Sequence, residues 1–585
     1  MKDEKKNQLI EDALIPIVIG VTGHRDLRQQ DIEELEQRIQ EILQEIMGKC
    51  PNSPILLLSP LAEGADRLVA KIALELGASL VVPLPMSIDE YRKDFKDEAS
   101  QSEFSELLAK STRHFELPLV QGNTAQNIAT HGEYRDRQYT QIGAYIAQHS
   151  QILIALWDGR ISKTEAGTSA IVRFKLEGIP EPYTKPPGPL TQPESGPVYH
   201  IVTPRASNPT PEGDLFALKK LFPGYWGTDE TQAEKAYDLI LKHVDDYNLD
   251  VRRWEPKLTR KIIESKSYIF PEDQENTLES ACQILLNRYA VSDVMAQRFK
   301  HQRFLTIKGL FLVVLLGFLF FQIYLELSRN PWILLPYPVI VGLGALWFWL
   351  AKRKKYEYKH EDYRALAEAI RVQFFWKITG VDENVADHYL NKHRGVLEWI
   401  RYAIRVWSLP LCEENRTKPE SYHLALKRWV EDQRNWFQRK SEIDKGRLRR
   451  LNFLSNWLFI FGLIVALILS VLQISHALSE KTSQIVHHSM VLAIGTSLAT
   501  AAAIKGYLEK IVLSEQSKQY ERMARLYTLV SDRLSMTLSS KNFDEANKLL
   551  LEVGREALIE NADWLLLHRA QQLEVPILEA KPRMP

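Results

Sequence analysis

Cysteine is nearly absent from this 585-residue chain: Cys50, Cys282 and Cys412 stand far apart. They lack the spacing of a metal site or a disulfide framework and suit a reducing compartment. No His, Cys, Asp or Glu cluster has metal-ligand spacing either, so no metal site is assigned. Charge of one sign is not in excess, since 74 basic residues balance 74 acidic ones. Bulk attraction to nucleic acid is therefore not expected. The N-terminus, MKDEKKNQLIEDAL, has lysines but no apolar core, so no signal peptide is expected. No GK[ST] follows any glycine loop, and no GxGxxG is present at the first strand end, which excludes the Walker and Rossmann fingerprints there. A mean hydropathy of −0.24 excludes a transporter embedded throughout its length.

Charge is also missing from four stretches, residues 309–325, 332–351, 454–474 and 485–504, none of which contains Asp, Glu, Lys or Arg. Each is close to the ~17–25 residues that cross a bilayer as a helix. They form two pairs with short connections, which predicts two transmembrane hairpins. A single such run could be a buried core helix, but the flanks argue for spans. Arg298, Lys300 and Arg303 precede the first hairpin and Lys352, Arg353, Lys354 and Lys355 follow it. Lys445, Arg447, Arg449 and Arg450 precede the second, with Lys505 and Lys510 after it, whereas the tips hold only Arg329 and Lys481. The positive-inside rule then predicts a multi-pass protein of the cell inner membrane with both termini in the cytoplasm.

The first 205 or so residues alternate strand and helix. Apolar runs at 17–21, 55–58, 80–84, 115–120, 152–157 and 198–202 are short, rich in β-branched residues and bounded by Gly, Pro or Ser. Between the first two, Ile32, Leu35, Ile39, Ile42, Leu43 and Ile46 recur at helical steps behind an Asp31 to Glu34 capping box. The alternation predicts an α/β Rossmann-like parallel sheet, followed by an all-α membrane domain with four transmembrane helices in two hairpins. A Pro-rich stretch at 180–197 reads as a surface insertion, a loop at 207–214 closes the domain, and from Leu215 onward no strand is expected. The expected divisions are 14–207 for the sheet domain, 208–290 for a helical connector, 291–400 for the first hairpin with its cytoplasmic helices, and 401–585 for the second with the C-terminal helices. Each hairpin sits between a basic helix and a long polar helix, a pattern compatible with internal duplication.

In parallel sheets of this kind ligands bind beyond the carboxyl ends of the strands. Three loops fall there. After the first strand, Gly23 lets backbone N–H groups approach a phosphate, and Thr22, His24 and Arg25 can donate to its oxygens. An ordinary tight turn would use the same residues. After the second strand, Glu63 can hold a ribose hydroxyl pair beside Gly64, while Asp66 reads more simply as a helix N-cap. After the fifth strand come Asp158 and Arg160, then Gly167, Thr168 and Ser169 at the start of a helix. Three such loops on one sheet edge point to a ligand site more strongly than any one.

VTGHRDL, SPLAEGADRLVAKIALELGASLVVPLP, ILIALWDG with AGTSAIVRF, and GPVYHIVTPR together resemble the SLOG superfamily over about residues 14–205. That superfamily includes the nucleotide-binding core of a DNA-uptake protein, the Lonely-guy cytokinin enzymes and the sensor domains of melastatin-type channels. The helical remainder, through DYRALAEAIRVQFFW and ENADWLLLHRAQQLEVP, resembles SLATT membrane effectors. The resemblance implies a Rossmann-like fold and a nucleotide-derived ligand, ADP-ribose-like or a cyclic nucleotide, with no obligatory cofactor. Lonely-guy enzymes carry PGGxGTxxE, whose acid serves hydrolysis. Here Ser169-Ala170-Ile171 follows Gly167-Thr168 without an acid, and Ala166 replaces a glycine, so a binder without catalytic residues is expected. The alternative is a membrane-tethered nucleotide N-glycosidic hydrolase using Glu63, Arg135 and Asp158. A third reading is an inert scaffold.

In the last span Gly495, Ala499 and Ala503 form a small-residue ridge that permits close helix approach. Thr496, Ser497 and Thr500 either line a wet path or bond to their own backbone. His487 and His488 read as interfacial rather than metal-binding. Four spans per chain require several copies to build a pore, so a homo-oligomer in contact with membrane lipid is expected. The combined expectation is a cytoplasmic sensor of a nucleotide second messenger that gates an oligomeric pore or membrane-disrupting effector. Antiphage defence is implied by the resemblance alone.

Overall fold

The computed structural model describes residues 11–161, 166–184, 196–227, 229–389, 397–409, 419–475 and 480–569. Cys412, most of the Pro-rich stretch and the end of ENADWLLLHRAQQLEVP lie outside them. The chain forms two compact units, residues 1–257 with 384–413 and residues 258–383 with 414–585.

The first unit is built on a seven-stranded sheet. Its strands are β1 Ile17–Gly23, β2 Ile55–Leu58, β3 Ser79–Leu84, β4 Arg113–Glu116, β5 Ile152–Trp157, β6 Val198–Val202 and β7 Leu218–Leu221, in the order β4-β3-β2-β1-β5-β6-β7. Pairing from β4 through to β6 is parallel throughout. The β-branched runs of β1, β5 and β6 are buried along most or all of their length, as strands covered on both faces must be. The covering and connecting helices include α1 Ile32–Lys49, α2 Ala65–Glu75, α3 Ile88–Arg92, α4 Glu98–Ala109, α5 Glu133–His149 and α6 Thr168–Glu177. From β1 the chain proceeds outward through β2, β3 and β4, then returns to the other side of β1 as β5. In parallel sheets ligands bind at such a reversal, beyond the carboxyl ends of the flanking strands, here β1 and β5.

Two expectations fail locally. β7 is a strand beyond Leu215, antiparallel to β6. Its sequence, LKKL, carries no apolar alternation because it is an edge strand, where lysine is favoured. Lys220 there reaches Glu45 and Glu234 at 2.7 and 2.8 Å. The capping box is also not made: Asp31 gives no side-chain cap and instead binds the Arg28 guanidinium.

Beyond the sheet, α7 Glu230–Ile269 brings Asn248 to β1, where its amide exchanges two 2.8 Å hydrogen bonds with the Ile15 backbone. The helix Glu398–Ser408 also belongs to this unit, and the buried Trp407 donates its indole N–H to the Leu14 carbonyl at 3.0 Å. The compact units therefore cut across the sequence divisions at 290 and 400.

The second unit is helical, with α8 Ser280–Glu326, α9 Pro336–Arg353, α10 Tyr356–Thr379, α11 Asp432–Ile474, α12 Glu480–Lys510, α13 Leu513–Ser539 and α14 Phe543–Arg569 among its elements. Among the described residues four helical stretches, Ser280–Glu326, Pro331–Thr379, Pro419–Ile474 and Gln484–Ser539, are long and apolar enough to cross a membrane. At most 17% of each apolar window is buried, so most of that apolar surface faces outward. Helices α8 and α9 pack as one pair, α11 and α12 as another, and α8 also packs on α12. Close approach is bought by missing side chains: a Cβ on Gly344 would stand 2.5 Å from Val313, and one on Gly462 2.7 Å from the Ser497 hydroxyl. Beyond the charge-free runs, Trp376 on α10 donates to the Leu550 carbonyl of α14 at 2.9 Å, and Phe375 stacks on Trp429 with centroids 5.2 Å apart.

Candidate functional site

Because β1, β2 and β5 run parallel, the three candidate loops leave the same sheet edge. The first two interlock. The Ala65 N–H donates to the His24 carbonyl, and the His24 N–H to the Leu156 carbonyl, each at 3.1 Å. Gly23 is a packing residue: its Cβ would fall 2.3 Å from Ala65 Cβ. Gly64, with φ +82°, would place a Cβ 2.5 Å from the His24 and Arg25 carbonyl oxygens. Both glycines thus close protein against protein.

His24 and Asp158 meet between the ends of β1 and β5. The Asp158 backbone N–H donates to His24 Nε2 at 3.0 Å, and a carboxylate oxygen of Asp158 lies 3.4 Å from the same nitrogen. An accepting Nε2 is unprotonated, and burial, helped by nearby Arg205, pushes the imidazole pKa down against the opposing pull of Asp158 and Asp26. Asp158 is itself a clamp, accepting from the Arg160 N–H at 3.2 Å and the Asn208 amide at 3.1 Å. Arg160 reaches the Thr210 carbonyl at 3.1 Å. Asp26 holds Arg205 at 2.9 Å and Ser207. Burial works against its charge, but the Ser207 and Arg205 hydrogen bonds outweigh that and hold its pKa down to about 2. The segment after β6 is thereby pinned to the ends of β1 and β5. Arg205, Ser207 and Asn208 were not singled out in the sequence, where nothing local marks them as partners of Asp26 and Asp158.

On the other side of β1, Asp66 is not an N-cap; Gly64 occupies that position. The Asp66 carboxyl is buried, and desolvation pushes its pKa up to about 7 despite Arg25, Arg67 and an Ala62 N–H. Arg25 is exposed, lies over the Tyr139 ring at 5.1 Å and makes no ion pair among the described residues. Thr22 is half-buried beside it at the end of β1. Tyr139 was not anticipated; its only signal is its place on the helix preceding β5.

The groups of the hydrolase alternative are each engaged. Glu63 accepts from the Ser100 hydroxyl and from the Lys96 N–H at 3.1 Å. Arg135 is buried on Asp94 at 2.8 Å and Glu90 at 3.0 Å. Asp158 is held as described. Gly167, at φ +98° with open space where a Cβ would stand, caps α6, whose first turn includes Thr168 and Ser169 and no acid. A helix start of this kind favours an anion. Arg25, Thr22 and the α6 N-terminus are the features suited to phosphate; among the described residues no metal-binding cluster occurs.

In the membrane part, a Cβ on Gly495 would lie 2.9 Å from the Gln322 amide of α8, so this glycine packs within the chain. Thr496, Ser497 and Thr500 donate to the Leu492, Ile494 and Thr496 carbonyls of their own helix at 2.7–2.9 Å. Ala499 is half-buried on the same helix, and Ala503 lines an apolar cavity. His488 meets Glu326 at 2.9 Å, and His487 the Gln473 amide at 2.8 Å. No protein-family model matches the chain, and no curated protein matches it.

Proposed function

We propose that the α/β unit binds a phosphorylated, nucleotide-derived second messenger, ADP-ribose-like or cyclic, beyond the carboxyl ends of β1 and β5. The observation that carries this reading is the reversal of strand order at β1 and β5, with Arg25 beside it and without an ion pair among the described residues. Phosphate recognition by a guanidinium, a hydroxyl and a helix start is the chemistry these groups offer. The engagement of Glu63, Arg135 and Asp158 in structural bonds favours binding over hydrolysis.

Among its described residues the same chain carries four helices suited to a bilayer. In this reading the ligand binds one of two conformations more tightly and shifts a closed–open equilibrium of a homo-oligomeric pore in the inner membrane. Resemblance to SLOG sensors and SLATT effectors supports this, and with it a role in antiphage defence. The test is reconstitution of the full-length protein in dye-loaded liposomes, with small molecules extracted from the purified protein added back. Leakage on addition supports a ligand-gated effector. Absence of leakage with a ligand that demonstrably binds removes the pore from the account.

A further inference from the structure

The helical unit contains two adjoining cavities that the nucleotide reading does not use. The larger is about 1040 Å³, and its lining has nine Lys and Arg side chains against four Asp and Glu. The carboxylates are in part spent: Glu368 pairs with Arg371, and burial pushes Glu560 up to about 7. Of the cations, Arg371 pairs with Glu368, Arg303 with Glu357 and Glu361, and Lys440 with Asp444. Lys300 and Lys308 make no hydrogen bond or ion pair among the described residues, so the lining keeps an excess of positive charge.

The smaller cavity is about 550 Å³ and predominantly apolar, lined by Phe311, Leu312, Leu315, Leu451, Ala503 and Ile504. Lys308 and Arg447 line both cavities. Lys308 immediately precedes the first apolar run, Arg447 precedes the third, and Ile504 closes the fourth, so the shared wall stands where charged chain meets apolar span. Arg447 is aimed by Tyr507, whose hydroxyl it meets at 2.6 Å and whose ring lies 5.6 Å away.

We propose that these cavities form one site for an anionic phospholipid, with the phosphate at Lys308 and Arg447 and an acyl chain in the apolar groove. A soluble anion would leave the groove unused, and a zwitterionic lipid would leave the chamber's excess of cations uncompensated. Basic pockets between spans on the cytoplasmic side suit acidic headgroups, and the groove supplies the hydrophobic burial.

Native mass spectrometry of the full-length protein in detergent tests this with phosphatidylglycerol and phosphatidylcholine of matched chains. Phosphatidylglycerol should be retained at least about tenfold better, a difference of about 1.4 kcal/mol. Lys308→Gln with Arg447→Gln should erase that preference, and Arg447→Lys should keep most of it. Tyr507→Phe, which leaves charge unchanged and removes only one hydroxyl, should give an intermediate loss even if the double variant assembles poorly. Ala503→Phe should fill the groove and lower phosphatidylglycerol retention while sparing binding of soluble tripolyphosphate. Equal retention of the two lipids by wild type overturns the proposal, as does a Tyr507→Phe and Lys308→Gln pair that both behave like wild type. Tripolyphosphate binding without phosphatidylglycerol preference would make the chamber a soluble-anion site instead.

Discussion

Gly64 is fixed by two independent constraints, a positive φ and two carbonyl oxygens where a Cβ would stand. Gly64→Ala should therefore lower stability by roughly 1–3 kcal/mol, read as a lower thermal midpoint of the purified protein. Asp66 carries a pH signature. Its folded pKa of about 7 lies above the ordinary value of 3.8, so the folded state favours the protonated carboxyl. That contribution is intact below the unfolded pKa and is lost as pH rises through about 7. Asp66→Asn should thus stabilise the protein at pH 8 by roughly 1–3 kcal/mol relative to its effect at pH 4, measured by paired thermal melts. A variant with the same midpoint shift at both pH values would show that folding does not raise the pKa of this carboxyl. His24 behaves oppositely in charge: its lowered pKa contributes stability above 6.5 that is lost as pH falls further. Arg25, exposed and stacked on Tyr139, should tolerate Arg25→Gln with little loss of stability.

At the scale of elements, what was legible followed burial. β2, β5 and β6 match the expected runs residue for residue because both sheet faces are covered, so the local sequence is apolar almost throughout, with His200 the exception in these strands. β4 was expected at 115–120 and lies at Arg113–Glu116, because alternate residues of this outer parallel strand face outward and blur its start. β7 escaped notice because its Lys220 answers to Glu45, 175 residues earlier, and to Glu234 on the following helix. The helix holding Trp399 and Trp407 was not singled out in the sequence, and periodicity does not say which core a helix joins. The candidate loops follow the carboxyl ends of β1, β2 and β5, yet the role of Gly23 and Gly64 was not readable: only the fold shows Ala65 and two carbonyls filling their empty sides. The spans yield a prediction of their own. A Cβ on Gly344 meets the branched Val313, whereas one on Gly495 meets the end of a flexible glutamine. Gly344→Leu should cost more stability than Gly495→Leu, by about 1 kcal/mol or more, compared by thermal unfolding in the same detergent.

The whole molecule joins an α/β unit whose strand order reverses at β1 and β5 to a helical unit suited to a bilayer. The central claim is that a phosphorylated ligand binds at this reversal. Mass spectrometry of small molecules released from the denatured full-length protein tests it most directly, with wild type and Arg25→Gln purified side by side. Loss of one charge-assisted contact of this kind costs about 1.5–3 kcal/mol, or more than tenfold in affinity. The account predicts a nucleotide-derived phosphate retained by wild type and depleted at least tenfold in Arg25→Gln, with both proteins equally folded. No phosphorylated molecule in wild type, across preparations from cells in which the protein is active, or equal amounts in the two proteins, would contradict it.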